Sequence, residues 1–182
     1  LGPTLWNVAY DGVLNLPEMP VGTETIAYAG DQALLVKGKD TLTLENRAND
    51  ALEIIDDWIR VHGLALAPYK TKAAVLVGWR KCSNLKIQLG GHRVSVTDRV
   101  KYLGVYLGRN INSAPHVEHA ANKAIKAANS LARILPRVAG ASEAKRRLLA
   151  TVAGSIMLYA APTWGDKGTQ TKANCQKMAS AQ

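Results

Sequence analysis

The sequence predicts an α+β chain, with strands concentrated in its middle and helices at both ends. Three observations carry that expectation. Residues 42–62 show the clearest helical apolar period of the chain. Between residues 24 and 107, short apolar runs are punctuated by glycine-containing turns. Beyond Asn112 the apolar spacing is helical again.

The elements follow in order. Leu1 to Leu16 reads as a helix, with Pro3 in the first turn and Leu5, Val8, Ala9 and Val13 at helical spacing. Thr25–Tyr28 and Asp31–Val36 read as two strands folded across Ala29-Gly30. In 42–62, Leu44, Ala48, Ala51, Leu52, Ile55, Trp58 and Ile59 form one apolar stripe, and Gly63 fits the C-terminal stop. Strands are expected at Leu64–Leu66, Ala73–Val77, Leu85–Leu89, Arg93–Val96 and Val100–Leu107, with Gly90-Gly91 as a hairpin turn. A helix over about 115–135 places Ala121, Ile125, Ala128, Leu131, Ala132 and Leu135 on one face. At about 100° per residue, Lys123, Lys126 and Arg133 share the opposite sector, which Arg137 extends past the break at Pro136. A second helix is expected from Ser142 through Leu148, Val152, Ile156 and Tyr159, and the residues after Trp164 read as a frayed polar tail.

Composition narrows the function classes. A hydrophobic fraction of 47% is too high for a disordered tail. No run approaches the ~18 apolar residues of a membrane span, and no signal stretch opens the chain. Cys82 and Cys175 fit neither a disulfide framework nor a zinc pattern, so a reduced intracellular protein, nuclear or cytoplasmic, is expected. Charge is uneven: residues 1–60 carry −6, residues 61–100 carry +6, and residues 101–182 carry +9. That asymmetry points to a polyanion met on one side, or to lysine-rich solvated helix faces. The chain opens at Leu1 rather than Met and is expected to be a piece of something longer.

Most candidate sites read as ordinary structure. Asp56 and Asp57 are neighbours on a helix, where side chains diverge by about 100° and cannot share an ion. His116 and His119 lack a third ligand and read as a solvated helix start. Gly104 and Gly108 do not form a phosphate-cradling loop. The hairpin differs, because it sets Asp31 at an exposed tip on a rigid support, which suits a carboxylate that holds a metal against phosphate. A plain turn built on Gly-Asp is the alternative.

Four segments together resemble the reverse transcriptase of non-LTR (LINE/jockey-type) retrotransposons. Leu1-Gly2-Pro3-Thr4-Leu5-Trp6-Asn7 looks like the end of motif B, and Ala27-Tyr28-Ala29-Gly30-Asp31 like motif C, Tyr-X-Asp-Asp. Gly63-Leu64-Ala65-Leu66 with Lys70-Thr71-Lys72 is similar to motif D, and Val100-Lys101-Tyr102-Leu103-Gly104-Val105 to motif E, the primer grip. Ile156 to Trp164 is similar to a segment after the thumb.

The resemblance implies a partial antiparallel palm sheet with packed helices over residues 1–110, a helical thumb over 111–164, and a polar tail over 165–182. It implies an RNA-directed DNA polymerase, a nucleotidyltransferase using Mg²⁺, a duplex of RNA template and DNA primer, and dNTP. Asp31 would be the metal ligand and Lys70 would act on the leaving pyrophosphate. Tyr28, Lys72, Lys101, Tyr102, Leu103 and Gly104 would contact substrate or nucleic acid, as would the thumb sector Lys123, Lys126, Arg133 and Arg137. The pattern departs at one position: Gly30 stands where the first motif C aspartate would be. The motif A carboxylate would lie upstream of Leu1, and the upstream part of the same polymerase would be a partner. Two-metal chemistry needs several carboxylates, so the chain is expected to be inactive as it stands. A non-enzymatic nucleic-acid-binding module derived from such an enzyme is the alternative.

Overall fold

The computed structural model describes residues 1–78, 84–134, 143–168 and 171–180. The chain divides into two compact units, Leu1–Leu103 and Gly104–Gln182.

The first unit opens with helix α1 (Gly2–Tyr10), which tightens into a 3₁₀ turn at Asp11–Asn15. Of the expected stripe only Val13 is buried. Leu5 and Val8 are 62% and 73% exposed, whereas Tyr10 and Val13 are buried and Trp6 is half-buried. The aromatic rings offer more surface to the core than the aliphatic stripe does. Trp6 and Tyr10 stack with centroids 5.1 Å apart, and Trp58 meets Tyr10 edge-on at 6.2 Å.

Strands β1 (Thr23–Tyr28) and β2 (Asp31–Val36) pair antiparallel, from Thr23↔Val36 to Tyr28↔Asp31, across the two-residue turn Ala29-Gly30. Helix α2 (Thr41–Val61) begins where the Asp40 carboxylate accepts from the Thr43 N–H at 2.8 Å, which satisfies an orphan helix donor. Its stripe is the expected one, with Ala48, Ala51, Ile55 and Ile59 buried. Asp56 joins them by pairing with Arg60 one turn on, while Asp57 is exposed. Ile55 and Ile59 pack with Tyr10 and Val13 in one core cluster, and Ala48 packs with Leu85, Ile87, Leu89 and Val94 in another.

The remaining strands of this unit are short: β3 (Lys72–Ala74), β4 (Gln88–Leu89), β5 (His92–Arg93), β6 (Ser95–Thr97) and β7 (Arg99–Tyr102). β4 and β5 form the expected hairpin across Gly90-Gly91, while β3 and β6 pair in parallel. The α+β class therefore holds, but the expected antiparallel sheet is a set of strand pairs, one of them parallel. Two features of α2 explain why β4 is not extended by another strand on that side. Asn49 accepts from the Gln88 N–H at 2.9 Å and donates to the Lys86 carbonyl at 3.0 Å, and Glu45 accepts from the Lys86 N–H at 2.8 Å. The helix side chains take the ladder positions. Leu64–Leu66 is not a strand, because after Gly63 at φ +71° the Leu64 N–H still bonds back to Ile59.

The second unit holds β8 (Val105–Gly108), a 3₁₀ turn at Arg109–Ile111, and helices α3 (Ala114–Ile134), α4 (Glu143–Met157), α5 (Ala161–Gly168) and α6 (Lys172–Ala179). The run Val100–Leu107, expected as one strand, breaks at Leu103 (φ +45°) and Gly104 (φ +83°). Ala121 and Ala124 of α3 meet Ala153 and Met157 of α4 in one cluster, and small side chains let the helices approach. The expected stripe of α4 is displaced: Leu148 is 48% exposed, and Ala153 and Met157 are the buried positions. Residues 172–179 are a helix packed on α3, not a frayed tail, with Asn174 buried and Lys177 Nζ 3.8 Å from Glu118. Cys82, Leu135, Pro136, Arg137 and Ser142 lie outside the described residues.

Candidate nucleic-acid interface

Within the first unit the site is built around the β1–β2 turn. The Trp6 indole N–H donates to the Ala29 carbonyl at 2.8 Å, and Tyr10 donates its hydroxyl proton to Gln32 Oε1 at 3.1 Å. Helix α1 thus holds the hairpin at its turn and at the second residue of β2. The positive φ of this turn belongs to Ala29, at +51°, not to Gly30. A side chain at Gly30 would meet nothing within 4 Å. Neither backbone conformation nor space requires glycine there.

Alternation along β1 leaves Glu24, Ile26 and Tyr28 exposed and turns Thr25 and Ala27 inward. Because Tyr28 opposes Asp31, the two share the open face at the tip, and both are exposed. Tyr102, at the end of β7, lies close enough to feel Asp31. Burial pushes its phenol pKa up, and the Asp31 carboxylate adds to that shift by disfavouring a second negative charge. Among the described residues, the buried Tyr102 hydroxyl has no hydrogen-bond partner. Asp31 and Tyr102, distant in sequence, are thus near enough to interact electrostatically. Lys101 is exposed, and Leu103, 37% exposed, sits at the turn rather than in a core.

Lys70 and Lys72 occupy a separate place, the turn leading into β3, and both are exposed. The Lys70 ammonium stands 5.9 Å from the Tyr69 ring centroid. Among the described residues, no group of three or more His, Cys, Asp or Glu is arranged to hold a metal ion. With Gly30 beside it, Asp31 is a single exposed carboxylate, and these residues do not fit a two-ion centre.

In the second unit, Lys123, Lys126 and Arg133 are exposed on α3, away from the buried Ala120, Ala121 and Ala124. Arg137, the fourth member of the expected sector, lies outside the described residues. Gly104 is fixed by a neighbour: a Cβ there would come 2.9 Å from Tyr159 Cε1. The Tyr159 ring thus lies against Gly104.

His116 overturns the expectation of a solvated helix start, while His119 is half-buried. His116 is 2% exposed, its ring lies 5.2 Å from Trp164, and Tyr106 N–H approaches its Nδ1 at 3.4 Å. Burial lowers its pKa, the Tyr159 carbonyl partly opposes that shift, and His119 lowers it further. Nothing beside His116 in the sequence signals the Trp164 cover, which arrives from α5. Sequence reasoning also passed over Tyr69, which is 82% exposed and directly precedes Lys70, with Lys72 two residues further on. An aromatic followed closely by two lysines was the available signal.

The chain is similar to Pol polyproteins of R1 retrotransposable elements. It is 29% identical over 154 residues to the retrovirus-related Pol polyprotein from type-1 retrotransposable element R1 2 of Nasonia vitripennis, covering 81% of this chain and 37% of the relative. It is 25% identical over 182 residues to the putative 115 kDa protein in type-1 retrotransposable element R1DM of Drosophila melanogaster, covering all of this chain and 17% of that protein. A second Nasonia vitripennis R1 Pol polyprotein is 25% identical over 179 residues, with 90% of this chain and 50% of the relative covered. The chain spans half or less of the length of these relatives. No family model matches it, and no solved structure does.

Proposed function

We propose that this chain is the C-terminal palm and thumb portion of a retrotransposon reverse transcriptase, disabled at motif C and retaining a nucleic-acid-binding surface. The observation that carries the reading is the hairpin tip. Tyr28-Ala29-Gly30-Asp31 forms a two-residue turn between paired strands, pinned by Trp6 from the motif B-like segment and neighboured by Tyr102 from the motif E-like one. A residue of the motif B-like segment holds this turn, a tyrosine of the motif E-like segment feels its carboxylate, and relatives of the chain include R1 Pol polyproteins, which together support the reading.

The lesion is chemical rather than steric. Glycine offers no ligand, and one exposed carboxylate does not hold two cations about 4 Å apart. An aspartate at position 30 would fit the open space and would sit beside Asp31. Two adjacent carboxylates repel, which favours either a bound cation or a raised pKa. Mn²⁺ titration followed by water-proton relaxation tests this. Gly30→Asp is expected to bind Mn²⁺ more tightly than the parent, and adding Asp31→Asn is expected to abolish the gain. A gain that survives Asp31→Asn would place the ion elsewhere and remove the motif C assignment.

In this reading Lys123, Lys126 and Arg133 contact the phosphates of a template–primer duplex, and Lys101 and Tyr102 lie along the primer. The net +15 of residues 61–182 supports a surface for polyanions. Membrane spanning by a helix is not part of the account: no described helix is long and apolar enough to cross a bilayer.

A further inference from the structure

Tyr69 is a large aromatic side chain left 82% exposed on a turn that is otherwise tightly tied. The Ala67 carbonyl accepts from the Lys70 N–H at 3.0 Å, the Thr71 N–H at 3.2 Å and the Thr71 hydroxyl at 3.0 Å. On one side of the turn, Leu66 packs into both core clusters of the unit; on the other, Ala73 packs into one of them. The Tyr69 backbone is therefore held in place while its ring stands in solvent. An exposed ring on a mobile loop would be unremarkable surface. A ring held out from a rigid turn loses little further freedom on binding a partner.

The surroundings define which partner. Lys70 lies over the ring, and Lys72 and Arg93 are exposed in the same part of the fold. Pro68 touches the space above Gly90 of the β4–β5 turn, which leads directly into exposed His92 and Arg93. Cations around a solvent-facing ring match an unpaired nucleobase with its flanking phosphates. A duplex hides its base faces in the stack, so it presents only the phosphates.

We propose that Tyr69 is a stacking platform for an unpaired nucleobase, with Lys70 and Lys72 holding the adjacent phosphates. The ligand is single-stranded RNA or DNA, distinct from the duplex assigned to α3. The inference rests on the reading of the chain as a nucleic-acid-binding surface and deepens it.

Fluorescence anisotropy of labelled oligo(U), oligo(dT) and a duplex of equal length tests it with the full chain. Tyr69→Ala is expected to weaken both single-stranded probes by about fivefold or more, the scale of one lost base stack. Duplex binding is expected to stay within about twofold, because no stack is lost there. Tyr69→Phe should bind like the parent, since the ring rather than the hydroxyl does the stacking. Equal losses on both single strands assign the bare base, and a loss on oligo(U) alone assigns RNA. If the parent binds the probes and Tyr69→Ala binds the single strands equally well, the platform is overturned and the wider reading stands. If the parent binds none of the three, the nucleic-acid reading itself fails.

Discussion

Replacing Gly104 with alanine combines two costs that can be measured apart. The first is conformational. Gly104 sits at φ +83°, where an L side chain costs about 1–2 kcal/mol. The second is steric. The new Cβ would stand 2.9 Å from Tyr159 Cε1 and 3.4 Å from Cζ, inside the 3.5–4.0 Å optimum for carbon contacts. Overpacking of this kind costs about 1–3 kcal/mol. Tyr159 is 54% exposed, so its ring can move, and the low end of that range applies. The total for Gly104→Ala is thus about 2–3 kcal/mol. In a Tyr159→Ala background the obstacle is gone, and the same substitution should cost only the conformational part, about 1–2 kcal/mol. Urea denaturation followed by far-UV circular dichroism on the four members of the cycle measures both. Gly104→Asn in the parent is a useful control, since asparagine tolerates the left-handed region but meets the same ring. An identical cost of Gly104→Ala in both backgrounds would show that Tyr159 does not cover Gly104.

Other expectations follow from the same geometry. Ile55 is 2% exposed in the α1–α2 cluster, so Ile55→Ala should cost about 2–5 kcal/mol by urea denaturation. His116 is held below its ordinary value of 6.5, so the unfolded chain takes up its proton first as pH falls. Stability should therefore be flat above about pH 6.5 and decline below it until the folded pKa is reached, by at most about 1.4 kcal/mol per pH unit from this residue. A His116→Asn variant should lose that part of the slope, and an unchanged slope would assign the effect to other groups. Lys123→Ala, Lys126→Ala and Arg133→Ala together should lower the log–log salt slope of duplex binding by up to about 3. Pairing between β1 and β2 leaves Ile26 43% exposed, and among the described residues neither strand has a second neighbour. Light scattering should show association at micromolar concentration that Ile26→Lys relieves, whereas a clean monomer would show the edge to be covered.

What could be read from the sequence was what depends on neighbours along the chain. The β1–β2 hairpin and α2 came through because apolar spacing and turn residues agreed over their whole length. The face of α1 did not, since periodicity counts Leu5 and Val8 equally with Trp6 and Tyr10, and only the position of Trp58 and Ala29 decides between them. Val100–Leu107 read as continuous because one glycine in an apolar run is a weak break, and the left-handed Leu103 before it leaves no trace in the sequence. The same limit hid the burial of His116, beside Trp164, and the electrostatic reach of Asp31 to Tyr102. In the site, Asp31 and the exposure of Lys70, Lys72, Lys123, Lys126 and Arg133 were legible, while Tyr69 was passed over because a single aromatic in a loop has no period.

The central claim is that Gly30 is the disabling change in a polymerase-derived hairpin. Primer extension on an RNA template, with the chain joined to the upstream half of a working relative, tests it most directly. The joined Gly30→Asp variant should extend the primer, and the joined parent should not. Extension by the joined parent would contradict the account, because Asp31 alone would then suffice at motif C. Failure of both joined proteins, with each folded and binding duplex, would show that this hairpin is not the catalytic turn.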